Sequence, residues 1–496
     1  MAMATVQEAQ GKLVEVEAIE VRPSGGGGSA AESKAFRRYD PEQVLLMLPV
    51  LAEWIPEGDL AHFVGDLVEG VLDLAAIYRS YDSERGYPPY DPRLMMKLLI
   101  YGYANGVCSS RKLERATHRD VAIRMLCAGQ HPDYRSIARF RARHLEALSE
   151  LFVEALRLCA RAGLVSLGQL AVDGTKLRAN ASRHKAMSYE RMAKKESELE
   201  AEIAELRERA RALLAEAEAT DAAEDELYGA DRRGDELPEE LARRETRLAK
   251  LREAKAALEA EAKEREEARR AEMRSGGREP RDPPSGRDPF APKPTDQRNF
   301  TDPDSKIMKS SDGAFHQSYN GQAVVDADFQ VIVAAELSNH APDSRELEPA
   351  LEQLAENLET IGAELAPGAV LAADAGYFSE DNVAAAVTRG LDPHIATGRQ
   401  KHSDPPPIAP RGPIPKGATP RQRMARKLKT KKGRAVYARR KTIAEPVFGQ
   451  LQTVQDAKRL LLRGEDAARA QWRFNCAVHN LLKLHRAGGL RLIAAG

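Results

Sequence analysis

Between about Tyr39 and Gly163 the apolar residues recur every three or four positions: Val44, Leu45, Leu48 and Leu51, then Leu94, Met95, Leu98 and Leu99, then Leu148, Phe152 and Leu156. That spacing predicts amphipathic helices and no strands, with Pro92 near a helix start where its missing N–H costs nothing. After Leu164 the pattern shortens. Leu170–Val172, Ser318–Asp328, Gln330–Asn339, Val370–Ala373 and His394–Gly398 read as strands, with Asp326–Phe329 as a hairpin turn. Asp343 is placed to cap a helix through about Leu358, and Ser379 one through about Thr388. Strands alternating with helices predict an α/β fold, a mixed sheet covered by helices behind an all-helical N-terminal domain.

One long segment follows neither period. Leu199, Ile203, Leu206, Ala210 and Leu213, and later Leu241, Leu248, Leu251 and Leu258, recur in alternating steps of three and four, the period of a coiled-coil seam. A polar stretch with Gly229, Gly234 and Pro238 separates them. The expected form is a helical hairpin (coiled-coil) insertion over 185–274, with its arms packed on each other or zipped to another protomer. Around it the expected organisation is a disordered leader over 1–37, carrying the Gly25–Ser29 run, and a helical domain over 38–163. A sheet-based core takes 164–184 and 300–484, a Pro/Gly-rich linker 275–299, and a tail 485–496.

Composition narrows the classes. The chain has 496 residues, 42% of them hydrophobic, enough for a substantial core. No apolar run approaches the ~20 residues of a membrane span and no signal peptide is evident, so a cytoplasmic location is expected. The four cysteines, Cys108, Cys127, Cys159 and Cys476, lie far apart and suggest neither disulfides nor zinc. The net charge of zero conceals segregation: Pro405 to Ala444 holds thirteen Lys or Arg and no Asp or Glu. Such a block is a solvated tail or a phosphate-binding surface.

The candidate chemistry lies where strands end. Leu170–Val172 runs into Asp173 and then Thr175, Lys176 and Arg178; Val370–Ala373 runs into Asp374; and Glu445 stands behind Arg439, Arg440 and Lys441 on an expected helix, kinked or begun at Pro446. If Asp173, Asp374 and Glu445 converge, three like charges require a cation, and hard oxygen ligands suit Mg²⁺ or Mn²⁺. Such a site serves phosphoryl transfer, with Lys176, Arg178, Arg439, Arg440 and Lys441 holding a polyanionic substrate. Upstream, SSRKLERATHRDVAIRMLCAG and PDYRSIARFRARH read as two helices, capped at Ser109 or Ser110 and at Asp133, with Arg135, Arg139, Arg141 and Arg143 on the second. They are either a helix-turn-helix reading DNA or an ordinary pair whose arginines face water.

The segments AVDGTKLRANAS, FTDPDSKIMKS, YNGQAVVDAD, LAADAGYFSEDN and YARRKTIAEPVFGQ, in this order, resemble the DDE transposases of bacterial insertion sequences. The similarity runs from about Tyr39 to Leu484. It implies an RNase H-like core, Asp173, Asp374 and Glu445 as catalytic and metal-holding residues, and Mg²⁺ (or Mn²⁺) as cofactor. It implies double-stranded DNA as partner, element ends and target alike, with Tyr437 and Arg440 among its contacts, and a homo-oligomer on DNA associated with the nucleoid. The expected reaction is strand cleavage and transfer without a covalent protein intermediate. Two departures are visible: the interval from Arg440 to Glu445 is one residue longer than the family pattern, and the family Lys position holds Gln452. They leave open a catalytically silent, DNA-binding descendant.

Overall fold

A computed structural model describes residues 50–81, 88–182, 185–225, 238–275, 277–282, 287–310, 313–398 and 409–494. The contact pattern divides the chain after Pro49, and every described residue belongs to the unit Val50–Gly496. The expected leader over 1–37 lies outside the described residues.

Among the described residues the N-terminal apolar period folds as helices: α1 (Leu60–Gly70), α2 (Ala75–Arg79), α3 (Pro92–Ala104), α4 (Ser110–Arg119), α5 (Val121–Leu126), α6 (Tyr134–Arg143) and α7 (Leu145–Arg161); the first apolar group, Val44, Leu45 and Leu48, lies outside them. Pro92 opens α3 behind Asp91, whose side chain accepts from the Arg93 N–H. Asp133 caps α6 through the N–H groups of Arg135 and Ser136, as expected, whereas Ser109 makes no side-chain cap for α4. The stretch expected as one helix from Ser109 to Gly129 breaks at Asp120, which turns out of helical geometry to cap α5 through the Ile123 N–H.

The remainder builds a mixed sheet. The strands in chain order are β1 (Gln169–Arg178), β2 (Ala186–Ser188), β3 (Gln297–Asn299), β4 (Lys306–Lys309), β5 (Phe315–Asp326), β6 (Ile332–Ser338), β7 (Val370–Ala373) and β8 (Asp392–Ile395), all but β2 and β3 belonging to that sheet. β1 is central, antiparallel to β5 and parallel to β7, which is parallel to β8. β4 pairs with Phe315–Ser318 and β6 with Asn320–Val325, so the two lie end to end along the outer edge of β5. β2 and β3 form a separate antiparallel pair. The last expected strand, His394–Gly398, is shifted: β8 takes Asp392–Ile395 because its partners are Val370–Ala373.

Helices cover the sheet: α8 (Tyr189–Asp225) and α9 (Pro238–Ser275) in the insertion, then α10 (Leu347–Ile361), α11 (Glu380–Thr388), α12 (Pro420–Lys429), α13 (Lys431–Gly449), α14 (Glu465–Ala487) and α15 (Arg491–Ala494). α14 is the keystone. Its Trp472 Nε1 donates to the Gln322 carbonyl at 3.0 Å, and its ring lies 3.2 Å from where a Cβ on Gly321 would stand, a tight fit that favours glycine there. On its other side α14 meets the helical layer, where Phe474 sits edge-on to Tyr103 at 4.9 Å and the Asn480 carbonyl accepts from Cys159 Sγ at 3.4 Å. One apolar core therefore joins the N-terminal helices to the sheet.

The insertion closes on itself. Leu199 and Ile203 of α8 pack with Leu248 of α9, and Met192 packs with Leu251, Ala254 and Leu258, so the arms run antiparallel within one chain. The seam positions Ala210, Leu213 and Leu241 lie outside the described side chains.

Two helix expectations change. Asp343 does not cap α10. It opens a short 3-10 turn, Asp343–Arg345, and α10 begins at Leu347. Pro446 neither breaks nor starts a helix, since α13 runs through it. The N–H that proline lacks would have gone to the Thr442 carbonyl, and Gln330 Nε2 donates to that oxygen instead at 2.9 Å.

Candidate active site

β1 and β7 are parallel neighbours paired through Val172 and Ala373, and the next residue of each is an aspartate. Asp173 and Asp374 thus stand side by side where the two strands end their pairing. Asp374 accepts from the Gly376 N–H at 2.8 Å, which folds the chain into a 3-10 turn, Ala375–Tyr377. Asp173 accepts from its neighbour Gly174 N–H at 3.0 Å and from Arg440 Nη1, on α13, at 3.0 Å. Burial raises the Asp173 carboxyl above the usual carboxylate range and the charge of Asp374 adds to this; Arg440 and the Gly174 N–H oppose it. Of these two acids the poorly solvated one, Asp173, is bonded to the guanidinium, and Asp374 feels its charge from further off.

α13 lies along β1 through specific contacts. Gln169 donates to the Val436 carbonyl at 3.1 Å and accepts from Arg439 at 2.8 Å. Arg440 reaches Asp173, and its guanidinium lies 5.9 Å from the centre of the Tyr437 ring. Burial pushes the Tyr437 hydroxyl above its ordinary pKa. Past the end of α13, a π-helical turn, Gln450–Val454, brings Gln452 Nε2 to within 2.7 Å of Thr175 Oγ1 on β1. The Gln at the family's Lys position therefore touches the strand that carries Asp173.

Glu445 stands on the same helix as Arg440. Five residues beyond Arg440 it is turned by about 140° around the helix, and its side chain is exposed. Among the described residues no three His, Cys, Asp or Glu side chains are grouped to hold a metal ion. The face of α13 turned to β1 presents Arg440, with Ala444 and Val447 buried on the same side.

A polar network behind the pair escaped the sequence reading. Tyr377 donates to Gln322 Oε1, and Gln322 Nε2 donates to Asn320 Oδ1 at 3.0 Å and Asp343 Oδ1 at 3.2 Å. The same Asp343 oxygen accepts from Asn320 at 2.9 Å and Lys176 at 2.9 Å. Burial, reinforced by the charges of Asp343, Asp173 and Asp374, keeps the Tyr377 hydroxyl protonated as the donor. Gln322 lies against Gly174, where an added Cβ would stand 2.5 Å from its Nε2. The one available signal was Asn320 and Gln322, two amides at alternate positions just before the apolar run Ala323–Val325.

The remaining expected cations divide. Lys176 is tied to Asp343, whereas Arg439, Lys441 and Arg178 are exposed, Arg178 where β1 continues through a bridge to Arg459. Arg135 and Arg139 are exposed on α6. Arg141 is not: it is buried and donates to Tyr103 Oη at 2.9 Å and the Cys108 carbonyl at 2.7 Å, joining α6 to α3 and the start of α4. Arg143 covers the Tyr81 ring at 4.3 Å. Within the basic block, Lys416, Lys429, Lys431 and Lys432 project into solvent while Lys427 is bound to Asp392.

Two family models match the chain: the Transposase domain (DUF772) over residues 49–143 and the Transposase DDE domain over residues 291–481. On these matches the chain is a transposase, and belongs with the DDE transposases of insertion sequences. Asp374 and Glu445 lie inside the second matched segment and Asp173 lies between the two. No curated protein and no solved structure matches it. No described helix is long and apolar enough to cross a membrane.

Proposed function

We propose that this transposase cleaves DNA strands at the ends of its element and transfers them to target DNA, with Asp173 and Asp374 at the centre of the site. The supporting observation is the placement of the two aspartates on neighbouring ends of β1 and β7. A central strand antiparallel to one neighbour and parallel to the other supports an RNase H-like reading of the core over 164–184 and 300–484, with 38–163 as the helical domain and 185–274 as a coiled-coil insertion.

The donor set fits a divalent cation. Two hard carboxylates repel each other; each gives one oxygen to a backbone N–H, at Gly174 and Gly376, and the second Asp173 oxygen accepts from Arg440, whose place a cation would share. Mg²⁺ or Mn²⁺ bound there would supply charge neutralisation and activation of an attacking water or hydroxyl. Asp173 and Asp374 would hold the cation, and Tyr437, Arg439, Lys441, Lys176 and Arg178 would steady the DNA backbone, with Arg135 and Arg139 contacting it from the N-terminal domain. Glu445 keeps its place as third acid by its position in the Tyr437–Arg440–Glu445 motif, and Glu445→Gln tests that part separately. Joining two ends calls for more than one copy on DNA, at the nucleoid.

The exposed Glu445 and Gln452 in place of Lys favour a second reading, a silent DNA-binding descendant. One assay decides. The purified chain is incubated with a plasmid carrying the element ends in Mg²⁺ or Mn²⁺; nicking that Asp374→Asn abolishes supports the enzyme, and DNA binding without nicking supports the silent protein.

A further inference from the structure

We propose that Asp343 is a positioning residue for the acid pair: it fixes where Asp173 and Asp374 stand relative to each other, and so how tightly the two can hold a divalent cation. The inference rests on the reading of Asp173 and Asp374 as a cation site. Asp343 lies on neither strand that leads to an acid, yet its contacts reach both.

Toward β1, Asp343 Oδ1 accepts at 2.9 Å from Lys176, three residues beyond Asp173, and Lys176 Nζ also donates to the Ala341 carbonyl at 2.8 Å. The same carboxylate oxygen accepts from Asn320 and Gln322 of β5, which pair in register with Lys176 and Gly174. Toward β7, an added Cβ on Gly376 would stand 3.1 Å from Asp374 Oδ1 and 3.5 Å from Asp343 Oδ2, so both carboxylates border the glycine whose N–H Asp374 accepts. Tyr377 of that turn donates to Gln322. Asn382 closes the link. It is buried, and its Nδ2 donates to the Ser344 carbonyl at 2.8 Å and the Tyr377 carbonyl at 2.7 Å, one oxygen from each 3-10 turn.

These bonds matter because of where the ladder stops. β1 and β7 pair from Gln169 to Val172 and from Val370 to Ala373, so no strand pairing between them holds the aspartates that follow. Arg440 is bonded to Asp173 and Asp374 to its own turn. Among the described residues, the side-chain hydrogen bonds that run from the Asp173 strand to the Asp374 turn pass through Asp343 and Gln322. A satisfied buried network of this kind makes its surroundings rigid. Groups that orient cation-holding carboxylates from behind set affinity, and altering one typically costs about 10–100-fold.

The test is Mn²⁺ binding by the full chain, followed as loss of the free-ion EPR signal, with the melting temperature of each variant measured alongside. Asp343→Asn keeps the shape and loses the charge that holds Lys176; Asp343→Glu keeps the charge and moves it. Both should bind Mn²⁺ about 10–100-fold more weakly than the wild type. Lys176→Met should also bind it more weakly, although by charge alone the loss of a nearby cation would tighten binding. Asn357→Leu is the control: it gives up a buried bond to the Val333 carbonyl on β6, at 2.9 Å, and should lower the melting temperature without changing Mn²⁺ affinity. Tighter binding by Lys176→Met, wild-type affinity in either Asp343 variant, or equal weakening by the control overturns this inference alone. A wild-type chain that binds no Mn²⁺ overturns it together with the cation reading of the pair.

Discussion

Arg440 Nη1 on α13 stands 3.0 Å from Asp173 Oδ2 on β1, across 267 residues of sequence. The pair is mostly buried, at 12% and 23% side-chain exposure, and is the only ion pair either residue makes among the described residues. It ties the helix of the Tyr437–Arg440–Glu445 motif to the strand of the first aspartate.

Removing Arg440 leaves Asp173 and Asp374 without their cation. Arg440→Met should destabilise the metal-free chain by about 2 kcal/mol, less than a fully buried pair would lose because solvent screens part of it. Added Mg²⁺ should recover stability in the variant more than in the wild type. Thermal unfolding with and without EDTA reads both effects, and equal metal responses would count against a cation at the pair.

The raised carboxyl of Asp173 sets the sign of a pH effect. In the window from the ordinary value of 3.8 up to its raised folded value, the native chain holds a proton that the unfolded chain has lost, so stability falls as pH rises through that window. Asp173→Asn should abolish this fall and raise the melting temperature at neutral pH in EDTA, while ending cleavage. A melting temperature that Asp173→Asn lowers at pH 7 would contradict it.

His479 acts at the opposite end. Burial in α14 pushes its pKa from 6.5 down to about 3, and its Nε2 is shared with the Gln330 carbonyl at 3.0 Å. The unfolded chain gains a proton below pH 6.5 that the native chain refuses until about 3, so stability falls as pH drops through that window. The slope is about 1.4 kcal/mol per pH unit at its steepest. His479→Gln should flatten the acid limb of the melting curve, measured as the difference from wild type between pH 6 and 4.

Gly174 has no room for a side chain. Gly174→Ala would set a methyl 2.5 Å from Gln322 Nε2, and Gln322 is held by Tyr377, Asn320 and Asp343. The expected cost is about 1–3 kcal/mol, with slower cleavage because Asp173 is the adjacent residue. Gln322→Ser in the same chain should return part of the stability; no recovery would place the strain elsewhere.

Much of the scaffold was legible because its signals are local. Val370–Ala373 with Asp374 behind it, Ser379 capping through Thr388, and Pro92 at a helix start all depend on neighbours a few residues away. What misled was local chemistry answered from a distance. Asp343 carries the look of a helix cap, yet its carboxylate belongs to Lys176 and Asn320 on other strands. Pro446 looks like a break, and Gln330 repairs the carbonyl it orphans. Which side of α13 meets β1 follows from the phase of a whole helix, which Arg440 and Gln452 set by what they touch on β1.

The insertion has a further implication for assembly. Leu199, Ile203 and Leu248 shield one another inside a single polypeptide, as do Met192, Leu251 and Leu258. That part of the ridge is already dry and offers a neighbouring copy nothing to zip into. Any second copy would meet this one through different ground, or through nucleic acid.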